Sequence, residues 1–337
     1  MTAKAFVCGC AGTALDDAEL AFMAETRPWG LILFRRNVDT PDQLRALAAS
    51  FRAAVGRADA PVLVDQEGGR VQRLTQPHWP RYPAAARFAA LHAADPAGAA
   101  RLARLGGELL ARDLSDCGIT VDCAPVLDLP VPGSSPVVGD RAFGGEPGTV
   151  AALARAFADG LAAGGVLPVM KHVPGHGRAA VDSHHELPVV TAERSALARD
   201  FAPFRALADL PMAMTAHVVF TALDPDRPAT TSPSVIRDIV RGEIGFDGLL
   251  LSDDLSMQAL RGTLGERAAA AAAAGCDILL HCNGIMEEAR AVAAAAPALA
   301  GRAAERADAA LARRTAPAPR DLVADRAAFA AAFPVTA

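Results

Sequence analysis

Eight short apolar runs punctuate the chain, each of strand length, and each is followed by a loop and then a longer, alanine-rich stretch of helical pattern. They are AFVCG (5–9), GLILF (30–34), PVLVD (61–65), ITVDCAP (119–125), VLPVMKH (166–172), MAMTAHV (212–218), GLLLSDD (248–254) and CDILLHC (276–282). The runs are almost continuously apolar rather than alternating, which is the pattern of strands buried on both faces of a parallel sheet. Helix ends are marked between them. Thr40-Pro41 reads as a cap with proline in the first turn, while Gly164-Gly165 and Gly275 read as stops. The seven alanines Ala268–Ala274 belong to a helix rather than a membrane span.

Eight strand–helix units in a chain of 337 residues predict an α/β fold, the (β/α)8 TIM barrel. The rival is a doubly wound open sheet with an added helical domain. Against it, CGCAGTAL after the first run lacks GxGxxG spacing, and no Pro/Ser/Gly linker divides the chain. The expectation is one barrel domain over residues 1–337, with TAPAPR (315–320) setting off a short helical tail at about 315–337.

Polar groups gather where the runs end: Asp65, Asp122, Lys171 with His172, His217, Asp253 with Asp254, and Asn283. Chemistry in such barrels is built at that end of the strands. One aspartate closing a strand commonly just caps the next helix. Polar ends on this many units point to a site. The third loop, DQEGGRVQRL (65–74), joins a carboxylate to a glycine pair and to Arg70 and Arg73. The fourth, VVGDRAFGGEPG (137–148), holds Arg141 in a glycine-flanked segment too long for a plain connection.

The fifth loop, KHVPGHGRAAVDSHHELP (171–188), carries four of the eight histidines. Asp182 precedes His184 by two residues, so a turn between them lets the carboxylate accept the ring N–H and tune a proton donor near neutrality. Gly175 and Gly177 leave that loop free to swing. In LLLSDDLSM (249–257) the neighbours Asp253 and Asp254 point opposite ways, so one faces the barrel mouth and the other is expected to cap the next helix. His78, His92 and His281 read as structural, His217 as a pocket candidate and His176 as a brace of the glycine turn.

Composition narrows the partners. Hydrophobic residues are 52% of the chain, the formal net charge is −5 and there is no basic block, which excludes a nucleic-acid or anionic-membrane surface. No window reaches the length of a membrane span, and MTAKAFVCGCAG lacks the apolar core of an export signal. The six cysteines form no CxxC pair and sit in apolar contexts, so they read as reduced, buried thiols and place the protein in the cytoplasm.

Four segments, DQEGGRVQRL, GDRAFG, KHVPGHGRAAVDSH with its following LP, and SDDLSM, resemble in content and order the β-N-acetylhexosaminidases of glycoside hydrolase family 3. The resemblance implies a retaining exo-β-N-acetylglucosaminidase of the bacterial cytoplasmic type, releasing terminal N-acetylglucosamine from peptidoglycan fragments; that chemistry requires no metal and no cofactor, and a monomer is expected. It implies Asp253 as nucleophile and His184 as acid/base oriented by Asp182. It further implies that Asp65, Arg73, Arg141, Lys171 and His172 hold the sugar. Val173, Arg178 and the HHEL ending depart from the family pattern. Three other readings stand beside it. One is a phosphorylase using the same intermediate. Another is a metal-dependent hydrolase with ligands from His172, His176, Asp182, His184 and His185. The last is a non-catalytic sugar-binding barrel.

Overall fold

Each apolar run contains one strand. In the structure, a computed structural model that describes residues 2–183 and 186–334, these are β1 (Lys4–Cys8), β2 (Pro28–Leu33), β3 (Val62–Val64), β4 (Val121–Asp122), β5 (Leu167–Val173), β6 (Met212–Thr215), β7 (Leu249–Asp254) and β8 (Ile278–His281). Every strand pairs in parallel with its neighbour in sequence, and β8 returns to β1 to close a barrel. The expected (β/α)8 fold is the observed one, since an open sheet would leave two edges unpaired.

Side chains alternate between two cores, as the two-residue period of a strand requires. Val7, Ile32, Leu63, Val121, Val169, Met214, Leu251 and Leu280 fill the barrel lumen. Phe6, Leu31, Val62, Met170, Ala213 and Leu250 pack outward in the larger core that also holds the helices. Carrying the inward parity one step past the lumen brings Phe34, Asp65, Lys171, Asp253 and Cys282 to the rim, and all five line the cavity there. The opposite end is closed. Trp29, Leu299 and the alanines Ala307 and Ala310 of helix Gly301–Ala312 extend the lumen cluster across the barrel floor.

The helix signals fall where the sequence puts them. The Thr40 hydroxyl accepts the Gln43 backbone N–H ahead of helix Pro41–Val55, and Gly275 ends helix Leu264–Ala274 at φ +113°. One unit departs from the pattern: between β6 and β7 the helix Val235–Glu243 is π-wound, burying Val235, Ile236, Ile239 and Val240. At the far end, helix Leu322–Ala332 lies on helix Pro96–Asp116. There Phe329 packs against Gly106, and Arg320 and Arg326 bind Glu108 and Asp113 at 2.8 and 2.6 Å.

Candidate active site

The loop after β3 doubles back as a short antiparallel ribbon, Gln66–Gly68 against Val71–Gln72. A Cβ on Gly68, where φ is +92°, would come within 2.5 Å of the Pro83 carbonyl oxygen, so both the backbone angle and the space demand glycine. The Gln66 side-chain oxygen accepts the backbone N–H groups of Arg73 and Leu74 at 2.7 and 3.0 Å, which fixes where Arg73 starts. From the next loop Arg141 reaches in, and Arg70 steadies that loop through Asp140 and the carbonyls of Pro136 and Val137.

These groups form one arc of alternating charge. Arg73 bonds Asp65 at 3.2 Å, and Lys171 bonds Asp65 at 2.8 Å and Glu67 at 2.7 Å. Arg141 grips both oxygens of Glu67 at 2.8 Å each, the bidentate geometry that gives Arg–carboxylate pairs their strength. Burial opposes ionisation of both carboxylates, but Lys171, with Arg73 for one and Arg141 for the other, outweighs it. Asp65 is held well below the usual carboxylate range and Glu67 down to about 2. Burial likewise disfavours the Lys171 ammonium, and the two carboxylates overcome it, so its pKa is raised.

A second polar group stands beside the arc. Asp128, fully buried after β4, faces His172 Nδ1 at 2.7 Å and accepts the backbone N–H of His176 at 2.6 Å. Burial works against this carboxylate too, yet His172 and His176 hold it down to about 2. The His176 ring lies 3.0 Å from the Ser183 hydroxyl, and burial, reinforced by His172, lowers its pKa to about 4.

Asp253 continues the inward parity of Leu249 and Leu251 and faces the mouth. Burial disfavours its charge, but His217, His172, the Asp254 backbone N–H and Lys171 prevail, and the carboxyl stays below its ordinary range. Asp254 also borders the cavity, and it accepts the backbone N–H groups of Ser256 and Cys282, each at 3.1 Å. It is not the expected helix cap, because the next helix starts ten residues later at Leu264, capped by Thr263. His217 is wholly buried behind the strand tip, with Nε2 2.9 Å from the Asp254 carbonyl oxygen and Nδ1 2.7 Å from Thr230. It supports β7 and does not line the cavity.

One cavity of about 300 Å³ brings together Asp65, Arg73, Arg141, Lys171, His172, Asp182 and Asp253. His184 and His185 lie outside the described residues. Asp122 is buried beneath the site, accepting the Gln66 backbone N–H at 2.9 Å. Asn283 is tied to Glu288 at 3.0 Å, away from the cavity.

The sequence profile of the glycosyl hydrolase family 3 N terminal domain matches residues 13–315. The chain belongs to this family. As a family 3 protein it is a glycoside hydrolase, and its curated relatives carry the name beta-hexosaminidase. The one from Alkalilimnicola ehrlichii is 46% identical over 280 residues, covering 82% of this chain and 79% of the relative. Among solved structures, NagZ from Neisseria gonorrhoeae in complex with N-trifluoroacetyl-D-glucosamine is 34% identical with a TM-score of 0.85, covering 98% of this chain and 96% of that one. A family 3 β-N-acetylglucosaminidase from a Paenibacillus species is 33% identical with a TM-score of 0.79, covering 99% of this chain and 62% of that one.

Two carboxylates bonded to the cavity's charged groups, Glu67 and Asp128, were missing from the expected set. Glu67 was visible as the second acid of DQEGG, and the surplus of cations in the neighbouring loops was its signal. Asp128 sits in the apolar VLDLP, where an isolated carboxylate demands a buried partner. Arg178, one of the departures from the family pattern, does not charge the mouth: it bonds Asp200 and the Ala196 carbonyl on helix Arg194–Ala206, fastening the base of the fifth loop. Among the described residues no group of three or more His, Cys, Asp or Glu side chains could hold a metal ion. No helix among them is long and apolar enough to cross a membrane.

Proposed function

We propose that the protein is a retaining exo-β-N-acetylglucosaminidase that releases terminal N-acetylglucosamine from peptidoglycan fragments in the cytoplasm, acting as a monomer. The observation that carries this reading is an ionised Asp253 at a rigid strand tip, sharing one small cavity with Asp182 and the arc of paired charges. In the first step an Asp253 carboxylate oxygen bonds to the anomeric carbon while the glycosidic bond breaks, and His184 gives its proton to the departing oxygen. In the second, water bonds to that carbon, its proton passes to His184, and Asp253 is released. Asp182 orients His184 throughout.

Asp65, Arg73, Arg141, Lys171 and His172 hold the sugar hydroxyls and the acetamido group. Their mutual bonds keep them preorganised, so little reordering accompanies binding. Hydrolysis is favoured over phosphorolysis by the same pairing. Lys171, Arg73, Arg141 and Arg70 each already face a carboxylate, so no unpaired Lys or Arg among the described lining residues awaits a phosphate.

The test is a panel of N-acetylglucosaminides and glucosides, assayed with and without inorganic phosphate while the released anomer is followed by NMR. Free N-acetylglucosamine appearing first as the β-anomer, at a rate indifferent to phosphate and to exhaustive chelation, is the expected outcome. An N-acetylglucosamine 1-phosphate as main product, or an initial α-anomer, overturns it.

A further inference from the structure

Ser183 lies between Asp182 and His184 in sequence, and it is the residue where the fifth loop dives back into the protein. Ala180 is exposed and Val181 and Asp182 are half-buried, whereas Ser183 is only 3% exposed. Its hydroxyl lies 3.0 Å from His176 Nε2 and its carbonyl accepts the Ala259 N–H of the seventh loop at 3.3 Å.

The first half of this loop is fixed independently. Gly177 sits so close to Leu129 that a Cβ would fall 2.0 Å from the Leu129 carbonyl oxygen. Arg178 is bound to Asp200, and the Ala179 carbonyl accepts the Ser135 N–H at 2.8 Å. His176 itself is held by Asp128, the carboxylate that also orients His172. No comparable set of bonds fastens Ala180 and Val181 among the described residues.

We infer that the His176–Ser183 hydrogen bond is the clamp that sets the working position of the Asp182–His184 pair, with His176 and Ser183 acting as positioning residues. The inference rests on the proposed acid/base role of that pair. A hydroxyl–imidazole bond suits the task. It is directional enough to define a position, and as a bond between neutral groups it contributes only about 1 kcal/mol. Burial keeps His176 neutral through the physiological range and so preserves that character.

The experiment compares Ser183→Ala, His176→Ala and His176→Gln with His184→Ala, using a disaccharide with a poor leaving group and an activated dinitrophenyl N-acetylglucosaminide. Gln reaches about where Nε2 does and can still bond the hydroxyl. For Ser183→Ala and His176→Ala, kcat/KM on the disaccharide should fall roughly ten- to hundredfold, the order of a misplaced general acid. On the activated substrate the fall should be less than about threefold, since no proton is needed there. Azide should speed turnover of both variants and give glycosyl azide, and His176→Gln should recover most of the disaccharide activity.

Equal losses on both substrates, or wild-type kinetics in Ser183→Ala, overturn the clamp. If Ser183→Ala lowers the melting temperature, His176→Gln against His176→Ala decides. If His184→Ala itself shows no leaving-group dependence, the acid/base reading has failed and the clamp with it. Leaving-group dependence in His184→Ala but not in Ser183→Ala rejects the clamp alone.

Discussion

Lys171 on β5 and Asp65 at the end of β3 are bonded at 2.8 Å, and the lysine is almost sealed from water. The same ammonium bonds Glu67 at 2.7 Å, so one buried cation bridges two carboxylates that Arg73 and Arg141 pair from their other sides. Lys171→Met keeps the reach and removes the charge, leaving Asp65 and Glu67 facing one another with a cation short. A loss of about 3–5 kcal/mol in unfolding free energy is expected, the usual penalty for stranding buried charge. Chemical denaturation measures it, and an unchanged midpoint would contradict the arc as described.

Acid should weaken the fold through the same residues. Glu67 lies at about 2 in the folded protein against 4.5 unperturbed, and Asp65 and Asp128 are also depressed. The unfolded chain therefore binds more protons in this window, and stability rises with pH across it. The contribution of Glu67 is complete above 4.5 and is lost as pH falls from there toward 2. Glu67→Gln should flatten the dependence of urea midpoints on pH below 4.5, while being less stable than the parent at neutrality. A slope equal to the parent's would remove Glu67 from the account.

Asp253 accepts the Asp254 backbone N–H at 2.8 Å but forms no ion pair with any described Lys, Arg or His. Asp253→Ala should thus leave the melting temperature nearly unchanged while turnover of every N-acetylglucosaminide falls roughly 10⁴-fold or more, as for other deleted nucleophiles. Formate or azide should restore part of the rate with an activated substrate, producing the inverted α-product where azide is used. Appreciable unaided turnover would show that another group attacks the anomeric carbon.

All six cysteines are buried and unbridged. Burial, the leading cause in each case, pushes the thiols up, Cys117 to about 11 and Cys10 and Cys276 to about 12. A thiol-specific reagent at neutral pH should modify none of them in the native protein over minutes and all of them after denaturation. Rapid reaction of Cys282, which lines the cavity, would mean that the mouth opens further than the structure has it.

Much of this was legible in the residues because barrel strands carry a strong local signature. Buried on both faces, they read as apolar runs, and glycine or proline marks several of the helix ends between them. The two-residue period brings Asp253 to the mouth, but Asp254 borders the cavity too, against the expectation that only one of the pair would. What escaped was anything decided by partners distant in sequence. Glu67 meets Arg141 across 74 positions and Asp128 meets His172 across 44, and nothing local in either segment names the partner. Asp254 misled for the converse reason: an aspartate closing a strand is a good local cap, but the backbone just past β8 claimed it first. His217, expected at the end of the sixth strand, lies two residues past Thr215 and is drawn under the tip by Thr230.

Helix Gly301–Ala312 plugs the floor of the barrel with Ala307 and Ala310. Among the described residues, the cavity is therefore shut off from the floor and reached from the rim of the strands. In the proposed cycle the second reactant must pass through the opening that the first product leaves by, so departure of the cleaved fragment gates the arrival of water. A bulky fragment that lingers at the threshold would slow the whole cycle even with every reacting group perfectly placed.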